Sequence, residues 1–148
     1  MALTDAVRAA LRAAVGEGGF VASEVQRRTY EMDGLTGYRE TPGVVVLPES
    51  TEQVQEVMRI CHEARVPVVP RGSGTGLSGG ALPEAEGVLV VTSRMRRLLE
   101  LDPANMRAVV EPGVVNADIS KAAAPHGLYY APDPSSQQVC SIGGNIAE

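Results

Sequence analysis

The chain has a single lysine, two histidines, two cysteines and no tryptophan among its 148 residues, and each scarcity removes a class of function. Nucleic-acid backbones are held mainly by clustered Lys and Arg, and one lysine with a formal net charge of -5 leaves no such surface. Cys61 and Cys140 stand far apart with no second Cys or His at ligand spacing, which gives neither a metal site nor a disulfide framework. Two reduced thiols are expected. No apolar run approaches the roughly 20 residues that span a bilayer. The first residues carry Asp5 early and lack a secretory-type apolar stretch, so a cytoplasmic location is the expectation. With 44% hydrophobic and 21% charged residues, the chain lies far from the composition of disordered segments. Its length suits one domain with a real core.

The apolar pattern predicts the elements in order. Leu3, Val7, Ala10, Leu11 and Ala14 fall at helical spacing and Gly16 stands where helices commonly stop, which predicts a short opening helix. From Phe20 to Tyr38 neither a period of 2 nor of 3.6 stands out, and no element is assigned. Gly43 to Pro48 is a β-branched run closed by proline, the pattern of a buried strand. A helix follows directly. Ser50 caps it while Gln53 reaches back, and Val54, Val57, Met58, Cys61 and Ala64 form one apolar stripe, with His62 on the exposed side. Val66 to Pro70 and Val88 to Thr92 are two further short strands, so strand, helix and strand stand in the order of a right-handed crossover between parallel strands.

Beyond Leu99 the pattern changes. Leu99 to Asp102 and Met106 to Glu111, separated by Pro103-Ala104-Asn105, predict an antiparallel hairpin, and Glu111-Pro112-Gly113-Val114 a tight turn. Asn116 is expected to cap one more helix through Ile119 and Ala123, ended by His126 and Gly127, ahead of the stiff run Ala131-Pro132-Asp133-Pro134-Ser135-Ser136. The expected fold class is α+β: a small parallel sheet with helices over residues 1–95, then the start of an antiparallel sheet subdomain over residues 96–148.

The most informative stretch is Pro70-Arg71-Gly72-Ser73-Gly74-Thr75-Gly76-Leu77-Ser78-Gly79-Gly80, which places five glycines in nine residues directly after a strand. Glycine loses the most entropy on ordering, so such density points to positive φ or to very close approach of the backbone to something. Consecutive amides in such conformations form a nest for an anion. A diphosphate suits it, with the Ser73 and Thr75 hydroxyls adding donors and Arg71 supplying charge. A flexible surface linker is the plainer reading of Gly and Ser content, and the flanking strand and arginine argue against it. Gly74 to Gly79 formally matches the G-x-G-x-x-G pattern of dinucleotide-binding Rossmann folds, but that motif opens a helix, and Gly80, Pro83 and Gly87 follow here. Arg94, Arg96 and Arg97 also stand where a ribose-binding acid is expected. A second glycine cluster, Cys140-Ser141-Ile142-Gly143-Gly144-Asn145-Ile146-Ala147-Glu148, is expected to form another loop that clamps the same extended ligand.

Taken together, the loop at 70–80, Glu-Pro-Gly-Val at 111–114, Pro-Asp-Pro-Ser-Ser at 132–136 and Ser-Ile-Gly-Gly-Asn-Ile-Ala-Glu at 141–148 resemble the FAD-binding domain of the p-cresol methylhydroxylase and vanillyl-alcohol oxidase superfamily. The wording is most similar to its glycolate oxidase catalytic subunits and D-lactate dehydrogenases. That resemblance implies FAD lying between a small parallel and an antiparallel subdomain. It implies pyrophosphate contacts from the amides of Arg71, Gly72, Ser73, Gly74, Thr75 and Gly76, flanked by Pro70 and Leu77. Gly113, Pro132, Asp133, Ser136, Ser141, Ile142, Gly143, Gly144 and Asn145 would line the rest of the flavin nucleotide. Some relatives attach flavin through a histidine of the first glycine loop; Thr75 stands there in this sequence, which implies noncovalent FAD.

Relatives continue beyond the Gly-Gly-Asn-Ile-Ala segment into a substrate domain, so the resemblance implies an N-terminal portion of a 2-hydroxyacid oxidoreductase without its substrate domain. No catalytic residue and no metal ligand is expected in these residues. A small hydroxyacid would bind only with the absent domain, and other oxidase subunits are the candidate partners. The alternative is a noncatalytic fragment that binds flavin weakly or not at all and self-associates through exposed sheet edges.

Overall fold

The computed structural model describes residues 3–147. Helix α1 (Asp5–Val15) opens the fold, capped by the Thr4 side chain, which accepts from the Val7 amide. Strand β1 (Phe20–Val21), helix α2 (Glu24–Arg27), strand β2 (Val44–Val46) and helix α3 (Thr51–Ala64) follow. Strands β3 (Val68–Arg71) and β4 (Val88–Val91) complete a four-stranded sheet of order β1-β2-β4-β3. β2, β4 and β3 run parallel and β1 joins β2 antiparallel at the edge.

The valine-rich runs explain the layering. Successive side chains of a strand point to opposite faces, and every residue of the central strands β2 and β4 is buried, so both faces of the sheet are covered there. Val44, Val46, Val88 and Val90 meet Leu11 and Val15 of α1 and Val57, Ile60 and Cys61 of α3. Val45, Leu89 and Val91 face the other way, against Tyr30, Leu47 and Val69. Desolvation in the first of these layers pushes the Cys61 thiol up to about 11, and Cys61 is part of the core as expected.

Two helix details depart from expectation. Met58 is exposed, and Ile60 takes its place in a stripe of Val57, Ile60 and Cys61, with Ala64 packed beside it. At about 100° per residue, Met58 lies about 100° round the helix from Val57 whereas Ile60 and Cys61 flank it closely. Ser50 does cap α3, but the Gln53 side chain reaches the Glu49 amide, one residue before the cap (2.7 Å). The unassigned segment from Phe20 to Tyr38 contains β1, α2 and a 3-10 turn at Arg28–Tyr30. These pieces are two to four residues long, too short to display a period.

The second sheet is the expected hairpin, β5 (Leu98–Asp102) and β6 (Arg107–Val110), antiparallel and joined by a 3-10 turn at Pro103–Asn105. Helix α4 (Asn116–Ala123) and the short helix α5 (Ile142–Ala147) pack beside it, with Val114, Ile119 and Ile142 as the shared core. Asn116 is not the cap of α4. Val115 holds that position, while Asn116 is buried inside the helix, where its Nδ2 donates to the Pro132 carbonyl (3.3 Å) and its amide to that of Cys140 (3.1 Å). The closing glycine cluster is helix rather than loop. Gly143 and Gly144 each cost about 1 kcal/mol of helix propensity, but Ile142 is anchored in the core and its amide donates to Val114 (2.8 Å), so packing overrides propensity. Glu148, the last residue of that motif, lies outside the described residues.

An ion pair fastens Arg97, just before β5, to the turn after β6. Glu111 is 7% exposed, and its carboxylate accepts from the Arg97 amide (2.7 Å), Nε (2.9 Å) and Nη2 (2.7 Å). The Arg97 side chain first, then its backbone amide, holds the Glu111 carboxyl below the ordinary glutamate range. A folded-state pKa below the unfolded one adds stability above the unfolded value, which is lost as the pH falls through that value and below it. The melting temperature of the wild type should therefore exceed that of Glu111→Gln at neutral pH, and the gap should close below about pH 4.3. A gap independent of pH would show that the charge contributes nothing.

Candidate functional site

Strand β3 ends at Arg71 and delivers the chain straight into the glycine loop, at the carboxyl end of the parallel strands, where ligands of open α/β sheets bind. No helix follows: residues 72–87 contain only bends and turns. Glycine is required in this loop for two different reasons. Gly74 adopts φ +72° and Gly79 φ +76°, conformations L residues rarely hold. Gly72 instead allows close approach, since a Cβ there would lie 2.0 Å from the Ser141 hydroxyl oxygen.

That contact joins the two glycine clusters. The buried Ser141 Oγ accepts from the Ser73 amide (3.2 Å), and Gly143 donates from its amide to the Pro112 carbonyl (2.9 Å). Between them opens a cleft of about 530 Å³, within the range of about 300–1,000 Å³ usual for small-molecule sites. Pro70, Arg71, Gly72, Ser73, Gly74, Thr75 and Gly76 line one side, and Ser141, Gly143, Gly144 and Asn145 line the other, with Thr92 and Pro112 between. Asn145 Nδ2 is buried there with no hydrogen-bond partner among the described residues. A buried orphan donor is costly, and an acceptor-rich ligand such as a flavin nucleotide would satisfy it.

The remaining expected site residues sit elsewhere. Leu77 is exposed, and Ile142 is buried in the core of the second sheet. Gly113 packs against backbone: a Cβ would lie 2.3 Å from the Thr92 carbonyl oxygen and 2.7 Å from that of Met95. Pro132 and Asp133 are exposed; the Pro132 carbonyl accepts from Asn116, and the Ser136 carbonyl accepts from the Val139 and Cys140 amides. None of these six residues lines the cleft.

Arg71 is turned differently from the expected phosphate-facing cation. Its Nη1 donates to the Met32 carbonyl (2.8 Å) and its guanidinium stands 5.9 Å from the Tyr30 ring centroid. Burial lowers its pKa, with Asp33 and Tyr30 opposing, yet arginine stays charged throughout the physiological range. It is the one charged side chain among the described residues of the lining, which include no His, Lys, Asp, Glu, Cys or Tyr. The cleft can therefore hold and orient a ligand through backbone amides, hydroxyls and one cation. It offers no side chain suited to taking a proton.

Residues 30–35 are the part of the site that sequence reasoning missed. Asp33 is 5% exposed; its Oδ1 accepts from the Leu35 amide (2.9 Å) and its Oδ2 from the Ala81 amide (3.4 Å) at the far end of the glycine loop. A Cβ on Gly34 would lie 2.6 Å from the Gly76 carbonyl oxygen and 2.7 Å from that of Thr75. The only sequence signal was an Asp-Gly pair in a segment without period, which reads as a turn.

Comparison with known proteins places this arrangement. Residues 42–148 match the family described as FAD binding domain. The chain is 60% identical over 119 residues to the glycolate oxidase subunit GlcD of Escherichia coli, covering 80% of this chain and 24% of that protein. It is 40% identical over 146 residues to GlcD of Bacillus subtilis, covering 99% and 31%. It is 38% identical over 106 residues to a D-lactate dehydrogenase of Anaerostipes hadrus, covering 72% and 22%. Among solved structures, p-cresol methylhydroxylase with substrate bound superposes with a TM-score of 0.72 at 25% identity, covering 84% of this chain and 25% of that one. The chain thus spans between 22% and 31% of the length of these curated relatives. The α+β fold with a small parallel sheet and an antiparallel sheet is that of the p-cresol methylhydroxylase type, and the chain belongs to the FAD-binding domain family.

Proposed function

We propose that this chain forms the pyrophosphate-holding part of the FAD site in a flavin-dependent 2-hydroxyacid oxidoreductase of the glycolate or D-lactate type. The observation that carries the reading is the cleft between the glycine loop and α5, lined by backbone donors and one cation, with an orphan amide donor at Asn145. Its residues Pro70 to Gly76, Ser141 and Gly143 to Asn145 hold the nucleotide. When bound, FAD supplies the capacity to accept a hydride. The described residues orient the nucleotide; the group that takes the substrate proton comes from outside the cleft.

The same reading divides the chain near residue 95, between the parallel-sheet unit and the hairpin unit, and has FAD bound without a covalent link, since Thr75 offers no attachment. The name of the GlcD relatives, which calls them oxidase subunits, supports further subunits as partners. Two free, buried cysteines fit the reducing cytoplasm. No helix among the described residues is long and apolar enough to cross a membrane.

The test is the visible spectrum of the purified chain after FAD addition and desalting. Oxidised-flavin bands at a one-to-one ratio are expected, released by denaturation because the link is noncovalent. A colourless protein would overturn the reading for the isolated chain and favour the fragment alternative, for which Leu98, Leu99, Met106 and Val109, exposed on the two-stranded hairpin, are the supporting feature.

A further inference from the structure

We infer that residues 32–35 are a brace that sets the shape of the glycine loop, with Gly34 and Asp33 as positioning residues for the cofactor. The inference rests on the flavin reading of the cleft and adds to it a segment that lies before residues 42–148, the part matched by the family.

Three contacts grip the loop at three places. At its near end, the Arg71 guanidinium donates to the Met32 carbonyl (2.8 Å). At its far end, the Ala81 amide donates to the Asp33 carboxylate (3.4 Å). In its middle, Gly34 lies so close that an added Cβ would meet the Gly76 and Thr75 carbonyl oxygens at 2.6 and 2.7 Å. Both are backbone atoms, so the loop itself must move to make room. Asp33 is held in turn by the Leu35 amide (2.9 Å), which keeps the segment folded as it presses on the loop.

Regular structure does not define the loop, although the Ser141 hydroxyl also holds the Ser73 amide (3.2 Å). The loop lacks helix and strand from 72 to 87, and glycine-rich backbone has the most freedom to lose. A nest binds an anion only when its amides converge, so whatever fixes the backbone at 75 and 76 sets affinity. A ligand bound by a preorganised loop avoids the ordering cost at binding. The brace supplies that order without lining the cleft itself.

The test compares Gly34→Ala with Gly37→Ala in the full chain. A Cβ on Gly37 meets nothing within 4 Å, so this neighbour controls for the loss of a glycine. Three quantities are read: FAD dissociation constant by titration of flavin fluorescence, hydrogen exchange of the peptide covering 71–81 without FAD, and melting temperature. Gly34→Ala should bind FAD about tenfold more weakly or worse, with faster exchange confined to 71–81 and a changed visible circular dichroism of the flavin that remains bound. Gly37→Ala should match the wild type. A merely structural role would lower the melting temperature and leave the flavin dichroism and the local pattern of exchange alone.

If Gly34→Ala equals Gly37→Ala in affinity and exchange, the brace is wrong. Should Gly34→Ala fail to fold, Asp33→Asn decides in its place: it leaves one acceptor oxygen and one NH2 where the Leu35 and Ala81 amides each use an oxygen, and unchanged exchange at 71–81 overturns the proposal. If the wild type itself binds no FAD, the flavin reading fails, and the brace then stands or falls on the exchange of 71–81 alone.

Discussion

Replacing Gly74 by valine should abolish flavin retention while leaving the chain folded. Gly74 sits at φ +72°, where an L side chain costs roughly 1–2 kcal/mol and a β-branched one is most strained. Space adds to strain. A Cβ would fall 2.2 Å from Arg71 Nη2 and 2.5 Å from its Cζ, and although a guanidinium is a flexible end, this one is tied to the Met32 carbonyl and stacked near Tyr30. Valine must therefore either flip the backbone of the nest or expel the one cation of the cleft, and both outcomes remove donors from the phosphate. Neither core layer of the parallel sheet includes Gly74, so far-UV circular dichroism should be unchanged. Desalted variant with wild-type flavin absorbance would show that the nest lies elsewhere.

Gly113→Ala should have the opposite signature, a loss of stability with flavin binding reduced only as far as the folded fraction falls. The added Cβ would meet the Thr92 and Met95 carbonyl oxygens at 2.3 and 2.7 Å, and the Gly113 amide already donates to Met95 (2.8 Å). No side chain can swing away; the turn after β6 must part from the segment after β4. Forced overpacking of this kind costs about 3 kcal/mol at the upper end of its usual range, or about 6–12 °C in melting temperature for a chain of this size. A thermal melt with and without FAD separates the two readings of this residue. Unchanged melting with lost flavin would return Gly113 to the ligand-binding set.

These two glycines also show how far the sequence could be read. Both stand in motifs that resemblance assigns to FAD, and from sequence they look equivalent. One is needed for its own backbone angle in the cleft, the other for the approach of two segments behind it. The strands at 44–46, 68–71 and 88–91 were legible because β-branched runs bounded by glycine and proline have few alternatives. So was the hairpin around Pro103 to Asn105. Met58 was misplaced by one step of the helical wheel, since a stripe written from hydrophobicity alone cannot tell a flanking position from a facing one. Residue type makes Asn116 a cap, but burial gives its side-chain amide the Pro132 carbonyl and its backbone amide the Cys140 carbonyl instead.

By itself the sequence determined the longer helices, the three parallel strands, the hairpin and the parallel-then-antiparallel plan, and it singled out the glycine loop, because periodicity, turn chemistry and glycine density are properties of neighbouring residues. Tertiary structure alone decided that Ser141 closes on Gly72 and Ser73, that Arg71 turns to Met32, and that Asp33 and Gly34 press on the loop from the segment before β2. These pairs are separated by 39 to 68 residues where they are hydrogen-bonded side chain to backbone. No local pattern encodes such a meeting; it follows from where the sheet and its packed layers bring the ends of the strands.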